Sequence, residues 1–133
     1  MKDPYNPTPK EIRQWAYHKT KNEPIRDWNI VISTLGNAEL LLALAEDKTC
    51  PKRQYFLECL YLLVGNSVSK HRATDAGKVE AYLARAEKSS EPAIVNWVTR
   101  SREILRDLRR FDYAEWCEGG LAKKDMPLVA AEV

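Results

Sequence analysis

Apolar residues recur along this chain at helical spacing and almost nowhere at strand spacing. The clearest stripe is Ile94, Trp97, Val98, Ser101, Ile104, Leu105, Leu108 and Phe111. Its steps of three and four keep one face of a helix turned inward. From Tyr55 to Val64 only Glu58 is charged, so that segment is apolar nearly all round and predicts a central helix. Ala38–Ala45 is similar, with Leu40, Leu41, Leu42 and Leu44. No alternating apolar/polar run is long enough for a pair of strands.

Punctuation between the stripes sets the expected boundaries. Thr8-Pro9-Lys10-Glu11 reads as a capping box with proline at the first helical position, opening a helix over 9–19. Asp27 is expected to cap 28–35, and Gly36-Asn37 to end that helix and cap 38–46. Pro51 is expected to open 51–67, followed by a polar loop at 67–73 with Lys70, His71 and Arg72. Thr74 would cap 75–88, and Pro92 would open 92–110. Asp112 would cap a short helix over 113–118, stopped by Gly119-Gly120. Gly65 is placed near a helix end. The expected fold is all-α, six or seven short helices in antiparallel hairpins, with one helical domain over 1–120 and a flexible tail over 121–133.

An internal echo refines this picture. Leu42-Ala43-Leu44-Ala45-Glu46 through Pro51 aligns with Leu83-Ala84-Arg85-Ala86-Glu87 through Pro92 at a shift of 41 residues, with five of ten positions identical. The same shift sets Phe56 on Trp97, Leu57 on Val98, Leu63 on Ile104 and Val64 on Leu105. The period resembles that of HEAT and armadillo arrays. Stacking lets one helical hairpin bury the face that it cannot bury alone. The resemblance implies a short right-handed stack of two hairpins, about 37–67 and 75–110, and carries no functional residues.

Composition narrows the function classes. With 133 residues the chain suits one domain, and its net charge of +2 does not by itself indicate a nucleic-acid or membrane partner. Cys50, Cys59 and Cys117 are odd in number and widely spaced; they read as small apolar residues in a reducing compartment. The opening MKDPYNPTPK has no apolar core of a signal peptide, and no apolar run is long enough to span a bilayer. A cytoplasmic location is expected.

Candidate chemistry is sparse. His18 and His71, with the three cysteines, lack the local spacing of a metal site, and no cofactor is expected. No nucleophile elbow, P-loop or dinucleotide fingerprint occurs. Cys117 is the best placed of the weak candidates for a Cys–His nucleophile pair. Glu58, in its apolar setting, reads most simply as the single solvent-facing edge of its helix. The aromatics Tyr5, Trp15, Tyr17 and Trp28 at one end, and Phe111, Tyr113 and Trp116 at the other, read as anchors for terminal segments.

The strongest charge feature is Arg102, Arg106, Arg109 and Arg110, off the apolar stripe of their helix. With Tyr113 and Trp116 they form a candidate partner-binding surface, since arginine and aromatics are the residues interfaces use. The chain is therefore expected to be a non-enzymatic protein-binding module, such as a small inhibitor, immunity or adaptor protein. A nucleic-acid-associated regulator using the same arginines is the alternative.

Overall fold

The stripes fold into helices throughout the computed structural model, which describes residues 1–118 and 120–126, without the side chains of 70–73. The helices are α1 (Pro9–Tyr17), α2 (Trp28–Ile32), α3 (Ala38–Glu46), α4 (Arg53–Ala86), α5 (Pro92–Arg106) and α6 (Leu121–Asp125). Short 3-10 turns occupy Leu35–Asn37 and Leu108–Arg110, and a π turn occupies Ala114–Glu118. Among the described residues the fold is all-α, and no helix is long and apolar enough to cross a membrane.

Several boundaries follow from caps. Thr8 Oγ1 accepts the Glu11 N–H at 3.2 Å while Glu11 Oε1 accepts the Thr8 N–H at 2.9 Å, the reciprocal box that starts α1. Pro92 opens α5 at the expected residue. Asp112 Oδ1 accepts the Glu115 N–H at 3.0 Å at the start of the π turn.

Other boundaries differ from expectation. Asp27 makes no side-chain cap and sits at φ 59°, and α2 stops at Ile32, where the Ser33 hydroxyl donates back to the Asn29 carbonyl. The expected helix over 92–110 breaks at Asp107. Its carboxylate accepts the Arg109 N–H at 3.1 Å and caps a 3-10 turn instead. Residues 121–126 were expected in the tail, yet they form α6 and its flank, with Ala122 and Met126 buried. Gly119 and 127–133 lie outside the described residues.

The largest correction concerns 67–73. Helical backbone runs through this segment, so the expected loop is part of α4, and Gly65 and Thr74 are interior to that helix. Yet α4 is not straight. Its 34 residues would extend about 51 Å at 1.5 Å per residue. Arg53, at its start, pairs with Glu91 at 2.6 Å. Glu91 is only five residues past the helix end, a reach of at most about 18 Å, so the chain must turn back within α4.

Other contacts bound the reversal. Tyr61 and Arg100 share the Asp125 carboxylate, while the Tyr82 ring meets Trp97 at 5.8 Å. The turn therefore falls between Tyr61 and Tyr82. The first half of α4 lies beside α5 in the same sense, with Arg53 against Glu91 and Tyr61 linked to Arg100. The second half lies beside α3, also in the same sense. There the Tyr82 hydroxyl donates to the Ala38 carbonyl, Arg85 pairs with Glu39, and Ser89 Oγ donates to Glu46 at 2.6 Å.

The core lies where these four segments meet. Phe56, Leu57, Leu60, Leu63, Val79, Leu83, Ile94, Trp97, Val98 and Ile104 are all buried there. Three of the four pairs matched by the 41-residue shift are buried on both sides, and Leu105 is half-buried against the core.

Aromatic clusters fasten the ends. Trp15 packs edge-on against Trp28 at 4.9 Å and Tyr55 at 4.8 Å, and Trp28 Nε1 donates to the Pro4 carbonyl at 2.9 Å. The α1 carbonyl end, next to His18, is satisfied by the Lys52 ammonium, which donates to the Trp15 and His18 carbonyls at 2.5 Å each. At the other end Trp116 packs on Tyr61 at 4.8 Å and Phe111 at 5.4 Å. Phe111 lies directly over Gly65, where any Cβ would run into its ring.

Leu57 is fully buried and Val98 nearly so, 41 residues apart on the two like-oriented segments. Leu57→Ala and Val98→Ala should each cost about 1–5 kcal/mol of stability in chemical denaturation. An unchanged midpoint for either would contradict the packing phase.

Candidate functional site

α5 and the turns that follow it build a polar cavity of about 350 Å³, lined by Arg100, Glu103, Arg109, Arg110, Asp112, Glu115, Trp116 and Leu121. Local sequence puts these side chains together. The break at Asp107 turns Arg109 and Arg110 out of the α5 axis, and the π turn swings Glu115 and Trp116 back toward it.

α6 closes the arrangement through Asp125, whose side chain is 3% exposed. The Arg100 guanidinium donates to both Asp125 oxygens, at 2.9 and 3.1 Å, a bidentate, charge-assisted pair. The Tyr61 hydroxyl donates to the same carboxylate. These bonds hold the Arg100 charge in place and raise its pKa, chiefly through the Asp125 hydrogen bond.

The arginines singled out from sequence do not form one patch. Arg109 and Arg110 line the cavity. Arg102 lies off it and pairs with Glu87 at 2.7 Å and Glu80 at 3.5 Å. Arg106 is exposed at the end of α5, outside the cavity lining. Arg109 is itself paired: its Nε and Nη2 donate to the Asp107 oxygens at 3.0 and 3.1 Å. That bond holds the Asp107 carboxyl below its ordinary range. Trp116 is buried and forms a wall of the cavity rather than an exposed contact. Tyr113 is half-buried and interacts with Asn29 of α2 instead.

The sequence reading missed Arg100, Glu103, Asp112 and Glu115 as lining residues. Glu103 and Arg110 are seven apart, a spacing that would have joined them on one face had the helix continued. Nothing local marks Arg100, because its partner Asp125 is 25 residues away.

A second titratable cluster surrounds Glu58. Its side chain is half-buried rather than a plain solvent edge, since the loop between α1 and α2 brings Glu23 near it and the π turn brings Cys117. Tyr55 Oη donates to Glu23 at 2.6 Å in the same region. Burial, with Glu23 adding repulsion, pushes the Glu58 carboxyl up to about 7. Burial likewise pushes the Cys117 thiol up to about 12 and the Cys59 thiol well above its ordinary value. A nucleophilic cysteine needs its thiolate, and these surroundings disfavour it. His18 Nδ1 accepts the Thr20 N–H at 3.0 Å; the His71 side chain lies outside the described residues.

No family model matches the chain, and neither does a curated protein or a solved structure.

Glu58 makes stability depend on pH with a definite sign. Its folded pKa is raised from 4.5 to about 7, so the folded state holds the proton more tightly and this contribution declines as pH rises through that window. Glu58→Gln should stabilise the protein, by an amount near zero below pH 4.5 that grows to a plateau above 7. The plateau should be on the order of 1–2 kcal/mol once partial hydration is allowed for. Denaturation midpoints of both proteins across that range check it; a constant difference would remove Glu58 as the cause.

Proposed function

We propose that the protein is a non-enzymatic binding module that engages another protein through the face formed by α5 and the turns after it. The observation that carries this reading is the charge pattern of the cavity. Three guanidiniums, from Arg100, Arg109 and Arg110, share its lining with three carboxylates, from Glu103, Asp112 and Glu115. Two of the guanidiniums are already neutralised, by Asp125 and Asp107.

A phosphate-binding surface works through uncompensated cations that displace condensed counterions. A face with both signs in fixed positions suits a protein surface of complementary pattern, where such charges set register and discriminate partners. The class this suits is a small inhibitor, immunity or adaptor protein. The free thiols of Cys50, Cys59 and Cys117 suit the cytoplasm, where thiols stay reduced. The like-oriented hairpins support the repeat-like reading of the fold, which offers an extended surface for such a partner. A nucleic-acid regulator is the rival, because the pairing of Arg102 and Arg109 leaves Arg106 and Arg110 outside the described ion pairs.

A photo-crosslinking residue at position 110, in the cells the protein comes from, should capture a defined protein, and one at Lys10 on α1 should not. Arg109→Glu with Arg110→Glu should weaken binding of that protein at least about tenfold, near 1.4 kcal/mol, with the melting temperature nearly unchanged. Duplex and single-stranded oligonucleotides should not bind at low salt. Steeply salt-dependent oligonucleotide binding lost in the same variant would establish the rival instead.

A further inference from the structure

We infer that the cavity beside α5 receives an arginine side chain of the partner protein, an inference that rests on the binding reading above. Taken by residue type the lining is balanced, with three cations and three carboxylates. Taken by what each charge already meets, it is acidic. The Arg100 guanidinium is held by Asp125 at 2.9 and 3.1 Å, and that of Arg109 by Asp107 at 3.0 and 3.1 Å. Neither Asp107 nor Asp125 belongs to the lining. Glu103, Asp112 and Glu115 enter none of the described ion pairs, and all three are exposed. One uncompensated cation, Arg110, therefore stands against three carboxylates, and the lining is negative in sum.

Shape and wall narrow the occupant further. A volume of about 350 Å³ lies at the low end of the ~300–1,000 Å³ of sites for discrete ligands. It suits one long side chain rather than a helix or strand. Trp116, only 4% exposed, forms part of the lining, with its ring held by Tyr61 and Phe111. Asp112 is fixed as well, because its Oδ1 accepts the Glu115 N–H at 3.0 Å. A guanidinium uses both features: its plane stacks on an indole while its fork donates to carboxylates. An ammonium is a more strongly hydrated point charge and gains less from the ring.

The arginine-rich stretch thus presents a receptor for arginine, because Asp107 and Asp125 neutralise two of its own. Arg110 is left to meet an acidic group elsewhere on the same partner. Its reversal therefore weakens the complex even while it makes the cavity more acidic.

The test titrates N-acetyl-arginine methylamide into the full chain and follows backbone amides and tryptophan indoles by NMR. Saturable shifts should appear at Glu103, Glu115 and the Trp116 indole. The citrulline analogue, which keeps the shape and loses the charge, should leave them nearly unmoved. Glu103→Gln with Glu115→Gln should weaken arginine binding about three- to tenfold, the scale of two exposed charge pairs. Glu103→Lys with Glu115→Lys should abolish it and favour N-acetyl-glutamate methylamide instead. Absence of saturable shifts, equal shifts with citrulline, or undiminished affinity in the Gln variant would overturn the inference. So would tighter binding of the glutamate analogue by the unaltered protein, or of putrescine, which would assign the cavity to a free small cation. If position 110 captures a protein and the arginine probe fails, the binding module stands and only its arginine is lost. Arginine binding without a captured protein would overturn the module reading and the partner with it, while the preference of the cavity stands.

Discussion

Arg53 fastens three separate parts of the chain at one point. Its Nε donates to the Ala45 carbonyl at 3.1 Å, and its Nη2 meets Glu91 at 2.6 Å with both side chains largely shielded from water. One guanidinium therefore joins the end of α3, the start of α4 and the start of α5. Once these three are together, α4 must reverse, and its second half must run beside α3. The like-sense pairing of segments and the shared core of Phe56, Leu83, Trp97 and Val98 all follow from that constraint.

The sequence disclosed much of this arrangement because caps and apolar stripes are local. Thr8, Pro92 and Asp112 start their elements as their chemistry requires. The phase of the 51–67 stripe recurs in 92–110, and nearly all of those positions are buried. What could not be read was tertiary. The polar run at 67–73 looked like a loop because its composition is hydrophilic, yet its residues are all compatible with helix, and helical backbone passes through it. Leu121-Ala122-Lys123-Lys124-Asp125 lies where terminal residues are ordinarily poorly ordered, so a tail is the local expectation. It is held by the Asp125 contacts to Tyr61 and Arg100, which no local pattern announces. Taken from its own helix alone Glu58 is a solvent edge, whereas in the fold it is half-buried with Glu23 and Cys117 close enough to act on it.

The same distinction governs the surface. Spacing grouped Arg102, Arg106, Arg109 and Arg110 as one basic face. The structure divides them by partners that spacing does not reveal: Glu80 and Glu87 take Arg102, and the turn at Asp107 takes Arg109. What remains is a contiguous site built from residues 100–121, mixed in charge and walled by Trp116. Because α6 holds Arg100 through Asp125, the shape of this site depends on the C-terminal segment staying docked.

The measurement that bears most directly on this account is the distance between the two ends of α4 in the monomer. Spin labels at Lys48 and Lys88, both exposed, would report it by pulsed electron resonance in a Cys117→Ser background. A straight α4 would separate its ends by about 50 Å. The folded-back chain predicts a single distance well under half of that. A monomer showing the long distance would contradict the reversal within α4, and with it the pairing of segments on which the rest of the fold rests.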